Sequence, residues 1–434
     1  MMLDSAPASA ARPFLGRRIV VGAFVLAIFG WGLGFYGPPI YLATVVAERG
    51  WSVALVSGAV TLHFLVGAVV VANLPHLYRR VGFSIVTRLG AVTLALGIMG
   101  WALAAQPWQL LCAGLLSGAG WVTMGAAAIN AVVSPWFVRG RSRALSMAYN
   151  GASVGGIIFS PLLVLLIDRL GFPVASLLVG AILVVAVWAL TAAGLGRAPA
   201  EWGQVADGDG VDVTGAGLSG SLGNAPILTS ILPLPPSPWR DHRFVTLALG
   251  MALGLFAQIG LLTHLFSLIE PALGNGRAGI VMGLATASAI AGRTAFGWLM
   301  PPDADRRLVA ASSYGVQVAG ALMLVLAGTG APILLVAGVL LFGFGIGNAT
   351  SLPPLIAQAE FAREDVGRVV ALIIATAQAT YAFAPAAFGL LRMAATEGGG
   401  LPGENATVAL GAAFVMLLAI VAFLVGRKPA ARWL

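Results

Sequence analysis

Charged side chains are scarce in this sequence: Asp, Glu, Lys and Arg make up 9% of its 434 residues, whereas 59% are hydrophobic. Soluble domains carry about 25% charged residues, and the mean hydropathy here is +0.95. A soluble protein of this length has too little interior to hide that much apolar surface. The composition therefore excludes a soluble domain and indicates that lipid surrounds most of the chain.

Cysteine and enzyme motifs are also nearly absent. The one cysteine, Cys112, lies in an apolar segment, which excludes an internal disulfide and predicts a small core residue. There is no His-Glu-x-x-His zinc motif, no Ser or Cys nucleophile with a placed base, and no Gly-x-x-x-x-Gly-Lys phosphate loop. The absence of these motifs argues against an enzyme, against a metal or other cofactor, and against transport driven by ATP.

What the sequence does contain is a series of long apolar segments. A membrane-spanning helix needs about 20 mostly apolar residues. The predicted spans are 19–46, 52–74, 86–105, 108–134, 144–167, 173–195, 244–270, 278–300, 308–327, 331–354, 366–391 and 404–425. The first is too long for a cleavable signal peptide and should remain as a helix. We predict an all-α integral membrane protein with 12 transmembrane helices.

Basic residues are concentrated in alternate loops, which sets the direction of the chain. If both termini are cytoplasmic, the outside keeps only Arg49, Arg169, Arg277 and Arg392. The cytoplasmic side then holds Arg12, Arg17, Arg18, Arg79, Arg80, Arg88, Arg139, Arg141, Arg143, Arg197, Arg240, Arg243, Arg306, Arg307, Arg363, Arg368, Arg427, Lys428 and Arg432. Cytoplasmic loops retain Lys and Arg, so we predict cytoplasmic termini.

The preference for arginine over lysine suggests a GC-rich bacterial genome and hence an inner membrane. Because these arginines lie in short loops between spans, the net charge of +8 does not indicate nucleic-acid binding.

Two similar halves are separated by a polar segment. Residues 1–195 and 244–434 each hold six predicted spans, and 196–243 is rich in Gly, Ser, Pro and Asp, which predicts a flexible cytoplasmic linker. The second half repeats the first at an offset close to 225 residues, the separation of positions 18 and 243 (243 − 18). Matched positions are Arg18 with Arg243, Arg80 with Arg306, Gly118–Gly120 with Gly343–Gly345, and Phe159–Pro161 with Phe383–Pro385. Such duplication is typical of transporters whose binding site lies between the repeats near mid-membrane.

These features resemble the major facilitator superfamily over essentially the whole chain. The first half is most similar to the branch that holds monocarboxylate porters and oxalate–formate antiporters. The resembling stretches are Glu48–Ser52, Val133–Phe137, then Arg141, Arg143, Ala144 and Leu145, and within the fifth helix Gly151, Gly155, Gly156, Pro161 and Leu162. The resemblance implies secondary transport of a small organic anion, a monocarboxylate, by alternating access with proton coupling or exchange.

The loop between the second and third helices departs from the family pattern Gly-x-Leu-x-Asp-Arg-x-Gly-Arg-Arg, because Arg79 replaces the acid. In the family that acid is thought to meet the positive N-terminus of helix 11 and to latch the outward-facing state. Acids precede helix 11 here, so we hypothesise a latch with exchanged charges. Its residues are Arg79, Arg80, Glu364 and Asp365, with Asp305 and Arg306 as the corresponding pair of the second half. An ordinary exposed loop pair, worth under ~1 kcal/mol, is the alternative.

Arg293 lies well inside the eighth predicted helix, where a guanidinium costs at least ~2.5 kcal/mol unless it meets a wet cavity or a partner. No Asp or Glu lies in the central part of any predicted helix, so an anionic ligand is the natural partner. The position also resembles the helix-8 arginine that binds substrate carboxylate in the monocarboxylate and oxalate branch. Two departures from the branch are Ala289, where monocarboxylate porters carry Asp, and the region of helix 11 where oxalate antiporters carry a second cation, which here offers only Gln378 and Tyr381. A single cation suggests a single carboxylate. Snorkelling or bonding to carbonyls is the alternative role.

The remaining candidates are polar residues at depth. For substrate binding they are Tyr36 beside the bend expected at Gly37–Pro39, Asn150, Gln258, Gln378 and Tyr381. For proton coupling they are His63 and His264, because histidine titrates near neutral pH. A neutral histidine bonded to a neighbour, and simple aromatic packing of Tyr36, are the structural alternatives.

Three functional classes stay open at this point. We expect a monomeric carrier whose partners are a small carboxylate and the lipid bilayer. A drug or metabolite exporter of the same superfamily is the first alternative, although the sequence lacks a membrane-embedded acid to attract a cation. A transporter-like membrane sensor is the alternative from a different class.

Overall fold

The computed structural model describes residues 14–427 except 139, 209–236, 300–303, 329, 350, 363–364 and 398–402, and all regular structure in this part of the chain is helical. The N-terminal half contains α1 Gly16–Gly34, α2 Pro38–Arg49, α3 Val53–Val81, α4 Phe83–Leu103, α5 Pro107–Trp121, α6 Ala126–Val133, α7 Arg141–Leu170 and α8 Phe172–Ala192. The C-terminal half contains α9 His242–Leu273, α10 Asn275–Leu299, α11 Arg306–Ala327, α12 Pro332–Ile346, α13 Leu352–Glu360, α14 Val366–Tyr381, α15 Ala384–Glu397 and α16 Glu404–Val425.

Eleven helical segments among the described residues are long and apolar enough to cross a membrane. The predicted span at 331–354 is the remaining one: it begins with α12, an apolar helix of 15 residues, and continues into α13 after a break. The predicted all-α, multi-pass architecture is confirmed. Three spans were expected to be continuous but consist of two α-helices each: 108–134, 331–354 and 366–391.

Glycine and proline explain the first of the breaks, between α1 and α2. Pro38 and Pro39 lack a backbone N–H and therefore end the hydrogen-bonding pattern of α1, while both are tolerated in the first turn of α2. The Tyr41 hydroxyl donates to the Leu33 carbonyl at 3.2 Å, which satisfies one acceptor freed by the break. The bend predicted from Gly37–Pro39 is thus present.

Glycines let neighbouring helices approach until backbones touch, as in other membrane bundles. A Cβ at Gly292 of α10 would lie 1.8 Å from the carbonyl oxygen of Phe344 in α12, and one at Gly347 would lie 2.1 Å from that of Ala289. A Cβ at Gly118 of α5 would lie 2.2 Å from the His63 carbonyl oxygen in α3. These contacts fix α10 against α12 and α3 against α5.

The two halves meet mainly near one end of the bundle. We call the end that holds Phe14 and Arg427 the terminal face, and the opposite end the distal face. Near the distal face, the Ala386 amide donates to Thr61 Oγ1 at 3.0 Å, and the Asn275 side chain donates to Asp168 at 3.0 Å. The halves are therefore closed over the distal face.

Toward the terminal face the same helix stripes lose their partners in the other half. On α7, Ile157 and Pro161 face the glycines of α10, but Asn150, seven residues before Ile157 on the same side of the helix, is exposed. On α10, Thr294, eleven residues after Gly283 on the same side of the helix, is exposed. A gap between the halves therefore opens toward the terminal face.

Two expectations from sequence differ from the structure. The start of the predicted linker is folded onto the N-terminal half: Trp136 donates to the Arg197 carbonyl at 3.0 Å, and the Gln204 side chain accepts from the Leu15 amide at 3.0 Å. Most of the remaining linker, 209–236, lies outside the described residues. Cys112 is exposed rather than a core residue, because its side of α5 does not pack against the bundle.

Candidate functional site

Arg293 lies on α10 beside the break that separates α12 from α13. Its Nε donates to the Gly347 carbonyl oxygen at 2.9 Å, directly after the last residue of α12. This carbonyl belongs to the negative end of the α12 dipole, so part of the guanidinium charge is balanced there. Nε is the only guanidinium nitrogen of Arg293 that makes a hydrogen bond within the described chain, and no carboxylate pairs with it there. Both terminal nitrogens are thus open to a ligand as far as the described residues are concerned.

Tyr36 approaches the same helix, α10, from the other half. It follows α1, and its hydroxyl lies beside the Thr286 side chain of α10 and within electrostatic range of Arg293. Thr286 donates its own hydroxyl hydrogen to the Met282 carbonyl at 3.2 Å, which leaves its oxygen free to accept from Tyr36. A Cβ at Gly156 of α7 would lie 2.8 Å from both Thr286 Oγ1 and Tyr36 Cε2. Glycine at 156 therefore makes this close approach possible.

We call Arg293, Tyr36 and Thr286 the anion cradle. It brings two residues of the C-terminal half together with one residue of the N-terminal half, at the depth where the gap between the halves ends. The two terminal guanidinium nitrogens can donate to a ligand, whereas the Tyr36 hydroxyl hydrogen is directed to Thr286 in this conformation. This arrangement can hold one carboxylate.

Three other predicted residues lie on α7 and α14. Asn150 is exposed on the stripe of α7 that faces α10 closer to the distal face. Gln378 and Tyr381 are half-buried on α14, and the Tyr381 ring lies 6.0 Å from that of Phe64 in α3. Tyr381 therefore belongs to the contact between the halves.

Gln258 does not lie on the gap in this conformation. It is 3% exposed and donates through Nε2 to Gln317 Oε1 of α11 at 2.7 Å. The pair joins α9 to α11 inside the C-terminal half, as buried amides do in membrane bundles. We therefore leave Gln258 out of the proposed binding site.

His63 is buried in a chain of hydrogen bonds within the N-terminal half. Its Nε2 donates to the Gly34 carbonyl at 2.8 Å, since a carbonyl can only accept. Its Nδ1 lies 2.9 Å from Ser117 Oγ, which also accepts from the Trp101 indole at 3.2 Å. The ring stacks on Trp121 with centroids 5.8 Å apart. This is the arrangement of a neutral histidine bonded to its neighbours, placed against the carbonyl at the end of α1.

His264 is also buried, but its contacts differ. Its Nε2 lies 3.2 Å from the Pro385 carbonyl of α15, and its Nδ1 has no hydrogen-bond partner among the described residues. It lies between α9 and α15 near the distal face, away from the gap. The structure therefore does not bring His264 to the anion cradle.

The predicted latch residues that the structure describes lie on several different elements. Arg79 and Arg80 are exposed at the end of α3, Asp365 precedes α14, and Glu364 lies outside the described residues. Asp305 accepts from the backbone of α11 and, at 2.6 Å, from Arg427. Arg306 donates to the Leu355 carbonyl at 2.6 Å. The second-half pair is thus used inside its own half.

Arg307, which the sequence placed among ordinary loop arginines, proves to be a buried structural residue. Its side chain is 1% exposed and forms two parallel bonds to Glu360 at 2.7 and 2.8 Å. It also donates to Thr246 Oγ1 at 3.0 Å and to the Arg243 carbonyl at 2.7 Å. We call these residues the arginine clamp; it ties α9, α11 and α13 together at the terminal face.

Sequence reasoning missed Thr286 and Gly156. Thr286 lies seven residues before Arg293, two turns along the same face of α10, and this spacing was the signal that could have identified it. Gly156 was named only as part of a family motif, and its role depends on a contact between halves that no spacing reveals.

Solved transporters share this fold. The nucleoside transporter NupG superimposes with a TM-score of 0.73 at 12% sequence identity, covering 95% of this chain and 99% of its own. A bacterial homologue of the human lysosomal transporter Spinster, in an inward-facing conformation, gives 0.67 at 14% identity, with 96% of each chain covered. At these identities the likeness establishes the fold alone.

Sequence comparison finds transporters that are similar to this chain over most or part of its length. MFS-type transporter 1 of Ophiocordyceps sp. is 23% identical over 365 residues, which is 80% of this chain and 72% of the relative. MFS-type transporter pynF of Aspergillus niger is 30% identical over 148 residues, 34% of this chain and 32% of its own. The sequence profile of the Major Facilitator Superfamily matches residues 19–385, while the monocarboxylate branch stays a prediction. The chain is a multi-pass membrane transporter that belongs to the Major Facilitator Superfamily.

Proposed function

We propose that the protein transports organic monocarboxylates by alternating access and binds the carboxylate in the anion cradle. The observation that carries this proposal is the Arg293 guanidinium, at the end of the gap between the halves, with its charge only partly balanced by the Gly347 carbonyl. An arginine at this depth is costly without a partner. A transported anion would supply that partner.

The number of donors in the cradle favours a single carboxylate. The two terminal nitrogens of a guanidinium match the two oxygens of a carboxylate in a forked, charge-assisted pair. The Tyr36 hydroxyl on the facing half would add a third donor on turning from Thr286 to the ligand. A dianion would leave its second charge without a cation, since no other arginine or lysine lies beside Arg293 among the described residues.

Binding between the halves provides a route to alternating access. Tyr36 belongs to one half and Arg293 to the other, so an anion held by both would favour closure of the gap. We place the terminal face in the cytoplasm of a bacterial inner membrane, because the basic residues collect at that face. With that orientation, this conformation is open inward.

For coupling we propose that His63 carries a proton. If Nδ1 gained a hydrogen, it could donate to Ser117 Oγ, while the Ser117 hydroxyl donates to the Gly114 carbonyl, 3.2 Å away. The network thus has bonds for both charge states, and stacking on Trp121 suits a cation. Because Nε2 holds the Gly34 carbonyl at the end of α1, the proton would act close to Tyr36.

For the state open to the other side we retain the exchanged latch as a proposal. Closure of the terminal face would bring the end of α3 toward the start of α14, where Arg79 and Arg80 could meet Glu364 and Asp365. Exchanging the sign with Arg79→Asp should then slow transport, and Glu364→Ala should do the same. Faster transport by the first variant and no change in the second would contradict the latch.

Uptake by purified protein in proteoliposomes tests the function. We expect uptake of a radiolabelled monocarboxylate by the wild type, loss of more than about 90% in Arg293→Ala, and normal uptake in Arg277→Ala. Arg277 is exposed on the same helix, so it controls for loss of one positive charge. Equal uptake by all three proteins would refute the role of Arg293. Carboxylate binding without flux would instead favour a sensor.

A further inference from the structure

A cluster of five aromatic rings continues from the anion cradle along the gap. We call Phe35, Tyr36, Phe64, Trp121 and Tyr381 the aromatic wall. Phe35 lies 5.1 Å from Tyr36, 6.2 Å from Phe64 and 6.4 Å from Trp121, measured between ring centroids. Phe64 lies 6.1 Å from Trp121 and 6.0 Å from Tyr381. The rings therefore form one connected apolar surface.

This surface belongs to both halves of the molecule. Phe35 and Tyr36 follow α1, Phe64 is in α3 and Trp121 ends α5, whereas Tyr381 ends α14 in the other half. Tyr36 is part of both the aromatic wall and the anion cradle. A molecule whose charged end lies at Arg293 would therefore place its body against the wall.

The wall is partly open. Phe35, Tyr36 and Tyr381 are half-buried rather than buried. Tyr36 beside Thr286 and Tyr381 beside Phe64 each lie next to the opposite half, and Phe35 packs on Tyr36. Their remaining surface therefore faces the gap rather than lipid. Phe64 and Trp121, 4% and 7% exposed, support them from behind.

We infer that the transported monocarboxylate carries an aromatic or comparably apolar ring, an inference that rests on the proposed function. Most ring pairs of the wall lie edge to face, at 65° to 85° between planes. A ligand ring of similar size can join such an arrangement with the same geometry. A small hydrophilic acid would leave this surface uncovered, and a sugar or nucleoside would bring more hydroxyls than the wall can satisfy.

The contrast between matched acids tests the inference on the purified full chain. Acetate and phenylacetate differ by one phenyl ring, and 2-phenylethanol keeps the ring without the charge. We expect isothermal titration to give phenylacetate at least about 10-fold tighter binding than acetate, with no binding of the alcohol in the same range. Tyr381→Leu and Phe35→Leu should each reduce the preference about threefold or more, while Phe414→Leu should not. Phe414 is an exposed ring on α16, away from the wall.

The outcomes separate this inference from the proposed function. If both acids bind equally and Arg293→Ala abolishes both, the cradle binds carboxylates but the wall does not select them, and the inference is wrong. If the preference persists unchanged in both wall variants, the wall is again not responsible. If neither acid binds the wild type, the proposed function fails first. Should one leucine variant not fold, the other variant and the wild-type acid series still decide.

Discussion

Neutralising Glu360 should destabilise the C-terminal half far more than removing an exposed ion pair. In the arginine clamp, Arg307 is 1% exposed and Glu360 is 15% exposed, and two short bonds join them. Removing one partner of a buried pair costs about 3–5 kcal/mol, because the other charge is left buried without compensation. Glu360→Gln keeps the shape and one bond, so we expect about 3 kcal/mol, or roughly a 100-fold change in the unfolding equilibrium.

Unfolding of the purified protein in detergent, followed by tryptophan fluorescence, measures this change. Arg427→Gln provides the matched control, because it breaks the Arg427–Asp305 pair, whose side chains are 38% and 37% exposed. Exposed pairs contribute under ~1 kcal/mol. If Glu360→Gln unfolds no more easily than Arg427→Gln, the clamp does not stabilise the fold as argued. A double variant Arg307→Met with Glu360→Met should recover part of the loss, because it removes both buried charges.

Three further perturbations have defined outcomes. Gly118→Val should prevent folded expression, since its Cβ would lie 2.2 Å from the His63 carbonyl oxygen; folded protein at wild-type yield would show that α3 and α5 are not packed this way. His63→Gln should abolish stimulation of uptake by a proton gradient while substrate exchange continues, and unaltered stimulation measured in proteoliposomes would remove His63 from the coupling proposal. Burial works to raise the pKa of Asp305, but the hydrogen bonds from Arg427 and the backbone outweigh it, so this pKa lies below its usual value. A lowered carboxylate pKa stabilises the fold above about pH 4 and loses its effect as pH falls through the lowered value. Asp305→Asn should therefore reduce the loss of stability on acidification. Thermal unfolding measured between pH 3 and pH 6, within about two units of the usual aspartate pKa, would detect or exclude this change.

The sequence predicted the fold well because lipid imposes simple rules. Spans must be long and apolar, and breaks need Gly or Pro, so the bend at Gly37–Pro39 was predictable. The break between α12 and α13 was not predicted, although Gly347 lies there. Its position depends on the close approach of Ala289 in another helix, which no local pattern records.

The site was predictable only in part. Arg293 stood out because charge at depth is rare, and Tyr36 because it adjoins the proline break. Gln258 looked equally suitable, but nearly every side of α9 is apolar or small, so periodicity cannot say whether a polar residue faces the gap or the interior. The structure pairs it with Gln317.

The sequence likewise does not indicate which arginine near the membrane surface is buried. Arg307 and Arg306 are adjacent and look alike in sequence, yet one lies buried in the arginine clamp and the other donates to the Leu355 carbonyl. Which of the two turns inward is decided by where Glu360 ends α13. That partner lies 53 residues away along the chain, beyond the range of any helical spacing rule.

Ligand-induced thermal stabilisation can show whether Arg293 binds a carboxylate. Purified wild type, Arg293→Ala and Arg277→Ala would be heated with a panel of carboxylates and with the matching neutral amides. We expect at least one monocarboxylate to raise the unfolding temperature of the wild type and of Arg277→Ala but not of Arg293→Ala, and its amide to have no effect. Equal stabilisation of Arg293→Ala, or stabilisation by amides alone, would contradict this expectation.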